Sequence, residues 1–363
     1  MTTATTIPPK STVPRRDPGA TLLRAHRRWG ELLTEGVVRV VAFLSFAVIL
    51  LIFVFVFREA APLFFSSTPV VSATKDLSAA EEEPMETYGD DEAEATAPST
   101  LTSEASAHAP VTMENLAGTR WQPVSKEPKY GLLPLIVGSL KVTLVAVAVG
   151  APVAILAALY TAFFAPRRLR QYLKPAIEFL SGFPSVVIGF FALVELATLV
   201  QAWFGAEYRL NALVGGIALS LAVIPVIYTV AEDALSAVPK AMTEASLALG
   251  ATRWETALYV VLPAATPGIF AALLLGVGRA FGETMIVLMA TGNAALMSLD
   301  FLQPVRTMSA TIGAEMAEVV FGDTHYNVLF LIGAVLFLFT FALNAVAEFV
   351  VRARLLKRFG GNR

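Results

Sequence analysis

Six stretches of this chain are apolar on all sides and long enough to cross a bilayer, which leaves few folds open to it. The first, 37-VVRVVAFLSFAVILLIFVFVF-57, is about 21 residues long, close to the ~20 that a helix needs to cross a hydrocarbon core. Five more runs cover roughly 133–163, 177–203, 211–231, 264–291 and 327–350. In each, Leu, Val, Ala and Phe occupy every side rather than one stripe. Such a helix is deeply buried or lies in lipid, and six in succession with so few charges between them mean lipid. The expected fold is an all-α integral membrane protein with six transmembrane helices. For the first run a cleaved signal peptide competes, but its apolar core should be shorter and nearer the N-terminus.

Composition agrees: 56% of residues are hydrophobic and 15% charged, against ~25% charged in an average soluble chain. There is no cysteine, so disulfides and thiolate metal sites are excluded. His26, His108 and His325 are far apart in polar surroundings, so no histidine metal site is expected. Residues 1–36 read as a polar N-terminal tail, 37–57 as the first span and 58–132 as a loop. Within that loop 66–118 is acidic, rich in Ala, Ser and Thr and nearly free of aromatics, and is expected to be a solvated, disordered insert. Residues 133–350 hold the remaining spans, and 351-VRARLLKRFGGNR-363 is a basic tail.

Lys and Arg in the connections set the orientation. Lys10, Arg15, Arg16, Arg24, Arg27 and Arg28 precede the first span; Arg167, Arg168, Arg170 and Lys174 follow the second; the tail closes the chain. These segments and the loop 232–263 fall on one side. The opposite side receives the acidic loop, the turn near Gly205 and 292–326, with Arg306 alone. Both termini are thus expected to be cytoplasmic. Glu195, Glu232 and Asp233 are expected near span ends, solvated. Lys141, early in the second span, is expected to reach toward the outer interface.

Two charges lie inside the fifth apolar run, 275-LGVGRAFGETMIVLMATGN-293, read here as one spanning helix. Arg279 and Glu283 are four residues apart and would share a helical face. A charge near the bilayer centre costs ~2.5–3.5 kcal/mol on insertion scales, so two of them need a reason. An ion pair that only fixes packing is one reading. Two features point further: Arg precedes Glu, the weaker order for such a pair, and Gly276, Gly278 and Gly282 would let another helix approach. The charges are therefore expected to face protein or a cavity, with Arg279 lining an anion's route and Glu283 orienting it and moderating its field. A guanidinium matches oxyanion geometry in two-point fashion. The spacing of 276-GVGRAFG is not that of a dinucleotide loop, and no strand precedes it. The chain has no GxxxxGK[ST], and Ser185 and Ser220 have no visible base beside them, so neither ATP hydrolysis nor enzymatic chemistry is expected of it.

The connection 232-EDALSAVPKAMTEASLALGATRWETALYVVLP-263 is too long for a turn, and its apolar residues repeat at helical spacing. Two short helices around a turn at Gly250 fit it best, outside the membrane. A partner-free amphipathic hairpin and a docking element fit the pattern equally well.

Glu244, Ala245, Ser246, Gly250, Val260, Leu262 and Pro263 resemble the EAA loop of ABC importer permeases, E-A-A-x3-G-x9-I-x-L-P, with Ser for Ala and Val for Ile. The resemblance implies a type I importer permease fold whose loop forms coupling helices seated on a cytoplasmic ATPase. The stretches 121-WQPV, 131-GLLPLIVGSL-140, 182-GFPSVVIGFFAL-193, 278-GRAFGETMIV-287, 306-RTMSATIGAEMAE-318 and 325-HYNVLFLIGAVLFL are similar to phosphate importer permeases of the PstC type. The likeness covers roughly 119–350 and has no counterpart for 66–118. It implies a PstA-like partner permease, two ATPase subunits that bind ATP and Mg, and an extracytoplasmic phosphate-binding protein docking on 119–132 and 292–326. It also implies roles for Arg279 and Glu283 in passing inorganic phosphate. No cofactor on this chain and no nucleic-acid partner are expected. A permease for sulfate or molybdate is the nearest alternative, and an ion-coupled secondary transporter a more distant one.

Overall fold

The structure, a computed structural model, describes residues 29–65 and 113–350. Most of the N-terminal tail, most of the insert 66–118 and the tail 351–363 therefore lie outside the described residues. The chain divides into two units, Met1–Val54 and Phe55–Arg363.

Among the described residues six helices are long and apolar enough to cross a membrane: Arg39–Ala60, Leu133–Phe164, Ser185–Phe204, Ala212–Ser236, Arg253–Phe281 and Thr324–Val346. Spans two, four and five pack into one core through Val142, Ala146, Ala154, Ala218, Leu219, Val223, Ile227 and Ala272. Small residues on these helices let the axes approach. At Gly276 a Cβ would stand 2.5 Å from the Ile227 side chain. Pro134 opens span two at the first helical positions, where a missing N–H is tolerated. Asn211 caps span four, its side chain accepting from the Val214 N–H at 3.0 Å. A second core joins Trp121, Tyr130, Leu135, Phe281, Met308, Leu329 and Ile332, so a two-stranded hairpin (Trp121–Gln122 with Lys129–Tyr130) is packed against the starts of spans two and six. Among the described residues π-helical turns interrupt the α-geometry at Tyr160–Phe164, Ala192–Leu196 and Ala257–Val261.

The structure corrects several boundaries. The run 177–203 is not one span: a separate helix, Arg167–Ser181, ends at Gly182, and the span restarts at Ser185 after Pro184. The run 264–291 is also broken. Its helix ends at Phe281 and a short one, Met285–Ala290, follows. The described residues restart five residues before the expected end of the insert, with a helical turn at Met113–Leu116 whose Leu116 joins the second core.

Two charges were misjudged. Glu232 is not solvated: it is 1% exposed and accepts from Lys174 Nζ and Ser236 Oγ, each at 2.8 Å, and from Arg170. Lys141 reaches toward the connection 292–326, as expected, but ends inside protein rather than at the interface. It is buried, donating to the Ser298 and Asp300 carbonyls at 3.0 and 2.6 Å, with Phe301 beneath its ammonium at 5.6 Å. Its partners lie more than 150 residues away, where no local pattern reveals them.

Candidate functional site

The fifth span carries the candidate residues at both of its ends. At one end, helix Lys240–Ala248 holds Glu244, Ala245 and Ser246 and buries none of its residues. Gly250 turns the chain with φ +90°, a conformation that a side chain resists. Thr252 then starts helix Arg253–Thr256 with a capping box closed by Glu255. Across the turn the Ser246 and Thr256 hydroxyls are 3.0 Å apart, so the residue that departs from the second Ala of the motif ties the two short helices together. Val260 lies in the π-turn, and Leu262 and Pro263 open the α-helical part of the span. Met242, Leu247, Leu249, Trp254 and Tyr259 are all exposed, Leu249 at 90%. Exposed apolar side chains gathered on and beside two short helices are a feature that protein-contact surfaces share.

At the other end Arg279 occupies the last turn of the helix, where a cation is favoured by the helix dipole. Gly282 caps the helix, and Glu283 lies beyond it. The two charges therefore do not share a helical face as the sequence suggested; they meet across a helix end at 3.8 Å. The Arg279 side chain is 48% exposed, and the Glu283 side chain is 8% exposed. Among the described residues Glu283 is the one charged partner of Arg279. Glu283 is fixed from behind, its carbonyl accepting from Ser309 Oγ at 2.6 Å. Ala271, Leu275, Arg279 and Gly282 recur every three to four residues and are all exposed, so they form one open face of the span. Of the three glycines, Gly276 packs within the chain, whereas a Cβ at Gly278 would meet nothing within 4 Å among the described residues, and one at Gly282 only the Gly278 carbonyl oxygen at 3.7 Å.

A cluster that the sequence did not reveal supports this end. Glu315 closes the short helix Met308–Glu315, whose second residue is Ser309. Its carboxylate accepts from Trp121 Nε1 at 3.1 Å, lies 2.9 Å from His325 Nε2 and pairs with Arg306. Arg306 also donates to the Asn293 carbonyl at 3.0 Å. Burial works to raise the Glu315 pKa, but the hydrogen bonds to His325 and Trp121 and the Arg306 charge outweigh it and hold the carboxyl below its usual range. At the helix start Thr307 caps through the Ala310 N–H, and the Met308 N–H donates to Ser139 Oγ at 2.9 Å. One eight-residue helix thus connects the hairpin surface to the backbone of Glu283. The only sequence signal for it was the lone Arg306 in the connection 292–326.

A family model described as the binding-protein-dependent transport system inner membrane component matches residues 150–355, more than half of the chain. The chain belongs to this family. The match contains the whole of 232–263 and both Arg279 and Glu283, and it makes the chain a multi-pass inner-membrane permease of the type I ABC importer kind, as the motif and the six spans led one to expect. The probable ABC transporter permease protein YqgH of Bacillus subtilis (strain 168) is 36% identical over 229 residues, covering 63% of this chain and 74% of that protein. The phosphate transport system permease protein PstC of Mesorhizobium japonicum is 31% identical over 255 residues, covering 65% of this chain and 77% of that one. PstC 1 of Mycobacterium tuberculosis is 32% identical over 245 residues, covering 61% and 72%.

Proposed function

We propose that this chain is a permease subunit of an ATP-driven inorganic phosphate importer and that Arg279 lines the anion's path. The observation that carries this reading is the asymmetry of the charged pair: Arg279 is 48% exposed on an open face, while Glu283, at 3.8 Å, is 8% exposed. A contact that loose leaves most guanidinium donors free for a two-point grip on an oxyanion. The carboxylate behind it lowers the field, and a path residue has to release what it binds. The names of two of the relatives, phosphate transport system permease proteins, support phosphate as the cargo over sulfate or molybdate.

In this reading a PstA-like permease covers the open face of span five, where Gly278 and Gly282 leave room. Two ATPase subunits, which bind ATP and Mg, seat on the exposed apolar surface of 240–259. An extracytoplasmic phosphate-binding protein docks on 119–132 and 292–326, and both termini are cytoplasmic. This chain hydrolyses nothing itself. The test is uptake of labelled phosphate into vesicles containing the whole complex. Arg279→Ala should lower uptake roughly 30-fold or more, the effect of removing one partner from a buried charge contact. Arg279→Lys should fall between, since a point charge lacks the fork. Unchanged uptake in both removes Arg279 from the path. Equal competition by sulfate overturns the cargo, and uptake without ATP overturns the importer class.

A further inference from the structure

Helix Arg167–Ser181 links span two to span three and buries none of its own residues. Its apolar hold is limited to Leu173 and Ile177, both half-buried, with Ile177 packed against the first core. It is flanked by breaks on both sides, an extended Pro166 (ψ 151°) and the sequence Gly182-Phe183-Pro184. Ions add to that hold. The buried Glu232 carboxylate accepts from Arg170 and from Lys174 at 2.8 Å, and Lys174 also donates to Asp233 at 2.9 Å. Hydrogen bonds to Glu232 and Asp233 raise the Lys174 pKa above its ordinary value. Desolvating a carboxylate costs several kcal/mol, and removing its partners costs more, so this joint strongly resists opening. Glu232 lies four residues before Ser236, where span four ends and the motif loop begins.

The far end of the same loop makes a second grip on the same elbow. Arg253 Nη2 donates to the Phe163 carbonyl at 3.1 Å, and its guanidinium lies 5.7 Å from the centre of the Phe163 ring. The Trp254 ring is 5.7 Å from that of Phe164. Phe163 and Phe164 end span two, three residues before the basic helix starts. The loop is covalently joined to spans four and five. Its two roots are also fastened, at 232–233 and at 253–254, to the connection between spans two and three.

We infer that the coupling loop drives spans two and three as well as four and five, through a clamp in which Glu232 is the positioning residue on one side and Arg253 with Trp254 on the other. Displacement of the loop would swing helix Arg167–Ser181 between its two breaks and carry the start of span three with it. Without the clamp the loop would act on its covalent neighbours alone. This inference rests on the ATPase-coupling role proposed above.

The experiment measures ATP hydrolysis and labelled phosphate uptake together in vesicles of the full complex, and reads phosphate moved per ATP. Glu232→Gln keeps volume and removes the charge. Hydrolysis should persist while phosphate per ATP falls roughly 2- to 30-fold, the range for substitutions within a coupling network. A second variant guards against misassembly. This chain has no cysteine, so Arg170→Cys with Ser236→Cys, added to Glu232→Gln, gives it one addressable thiol pair. It should show the same low ratio, and a short bifunctional thiol reagent that re-fastens the elbow should restore it. A wild-type ratio in assembled Glu232→Gln, or a bridged pair that stays uncoupled, overturns the clamp. If the unaltered complex shows no ATP-dependent phosphate uptake, the functional reading itself fails, an outcome distinct from an intact importer indifferent to Glu232.

Discussion

Replacing Gly138 with Ala should loosen the support of the charged pair, and the size of the effect can be worked from contacts. The added methyl would stand 2.2 Å from the Arg306 carbonyl oxygen and 3.1 Å from its carbon. A carbon rests at roughly 3.3–3.6 Å from a carbonyl oxygen, so about 1 Å has to be found. The obstacle is backbone and cannot swing aside. Thr307, the next residue, caps helix Met308–Glu315, and the adjacent Ser139 holds the Met308 N–H. Overpacking of this kind costs ~1–3 kcal/mol, offset by ~0.5–1 kcal/mol because Ala favours a helix over Gly. Gly278→Ala is the matched control: it brings the same helical gain and meets nothing within 4 Å. In detergent the two variants should straddle the unaltered chain in denaturation midpoint, separated by ~1–3 kcal/mol. Gly138→Ala should also lower phosphate uptake, through Ser309 and the carbonyl of Glu283. Variants equal to within about 0.5 kcal/mol, the usual margin of additivity, would refute the reasoning.

Further perturbations probe other parts. Because the folded Glu315 pKa lies below the ordinary ~4.3, its cluster stabilises fully above that value and loses this contribution as pH falls through the lowered one. Glu315→Gln should flatten the acid limb of midpoint against pH, and an unchanged limb counts against the cluster. Gly250→Ala should cost roughly 1–2 kcal/mol of backbone strain and Gly250→Asn less, since Asn tolerates left-handed geometry. Identical midpoints for these two would show that φ is not what the position demands.

The six spans were legible because lipid asks only for length and apolar residues on every side, which the sequence displays directly. Gly250 was legible too, since a reversal between two helical patterns needs a residue free at positive φ. The helix breaks were not read, because apolar residues recur within a few positions on either side of each, Phe179 and Leu180 before Gly182 and Met285–Ala290 after Gly282. Gly182 followed by Pro184 carried a usable signal; Gly282 before Glu283 and Thr284 carried almost none. Arg279 and Glu283 were found by their charge, but the four-residue spacing suggested a shared face that a helix end at Phe281 removes. Glu232 was misread for a different reason. Its partners Arg170 and Lys174 lie about 60 residues upstream on another helix, and burial of a charge is decided by such distant partners. Glu315, paired with Trp121 from 194 residues away, escaped notice on the same ground.

The π-turn at Ala257–Val261 stands between the two short helices of the motif loop and Arg279. A π-turn takes up one residue more than an α-turn, so everything beyond it is rotated by about 100° from where an unbroken helix would point it. The compass bearing of Arg279, measured from the loop, is thus written in the number of residues between them rather than in their kind. Substitutions within the turn leave that bearing alone. Deleting a single residue from it would relax the turn to ordinary helix and swing the guanidinium off the open face, with Arg279, Glu283 and both short helices of the loop still present in the sequence.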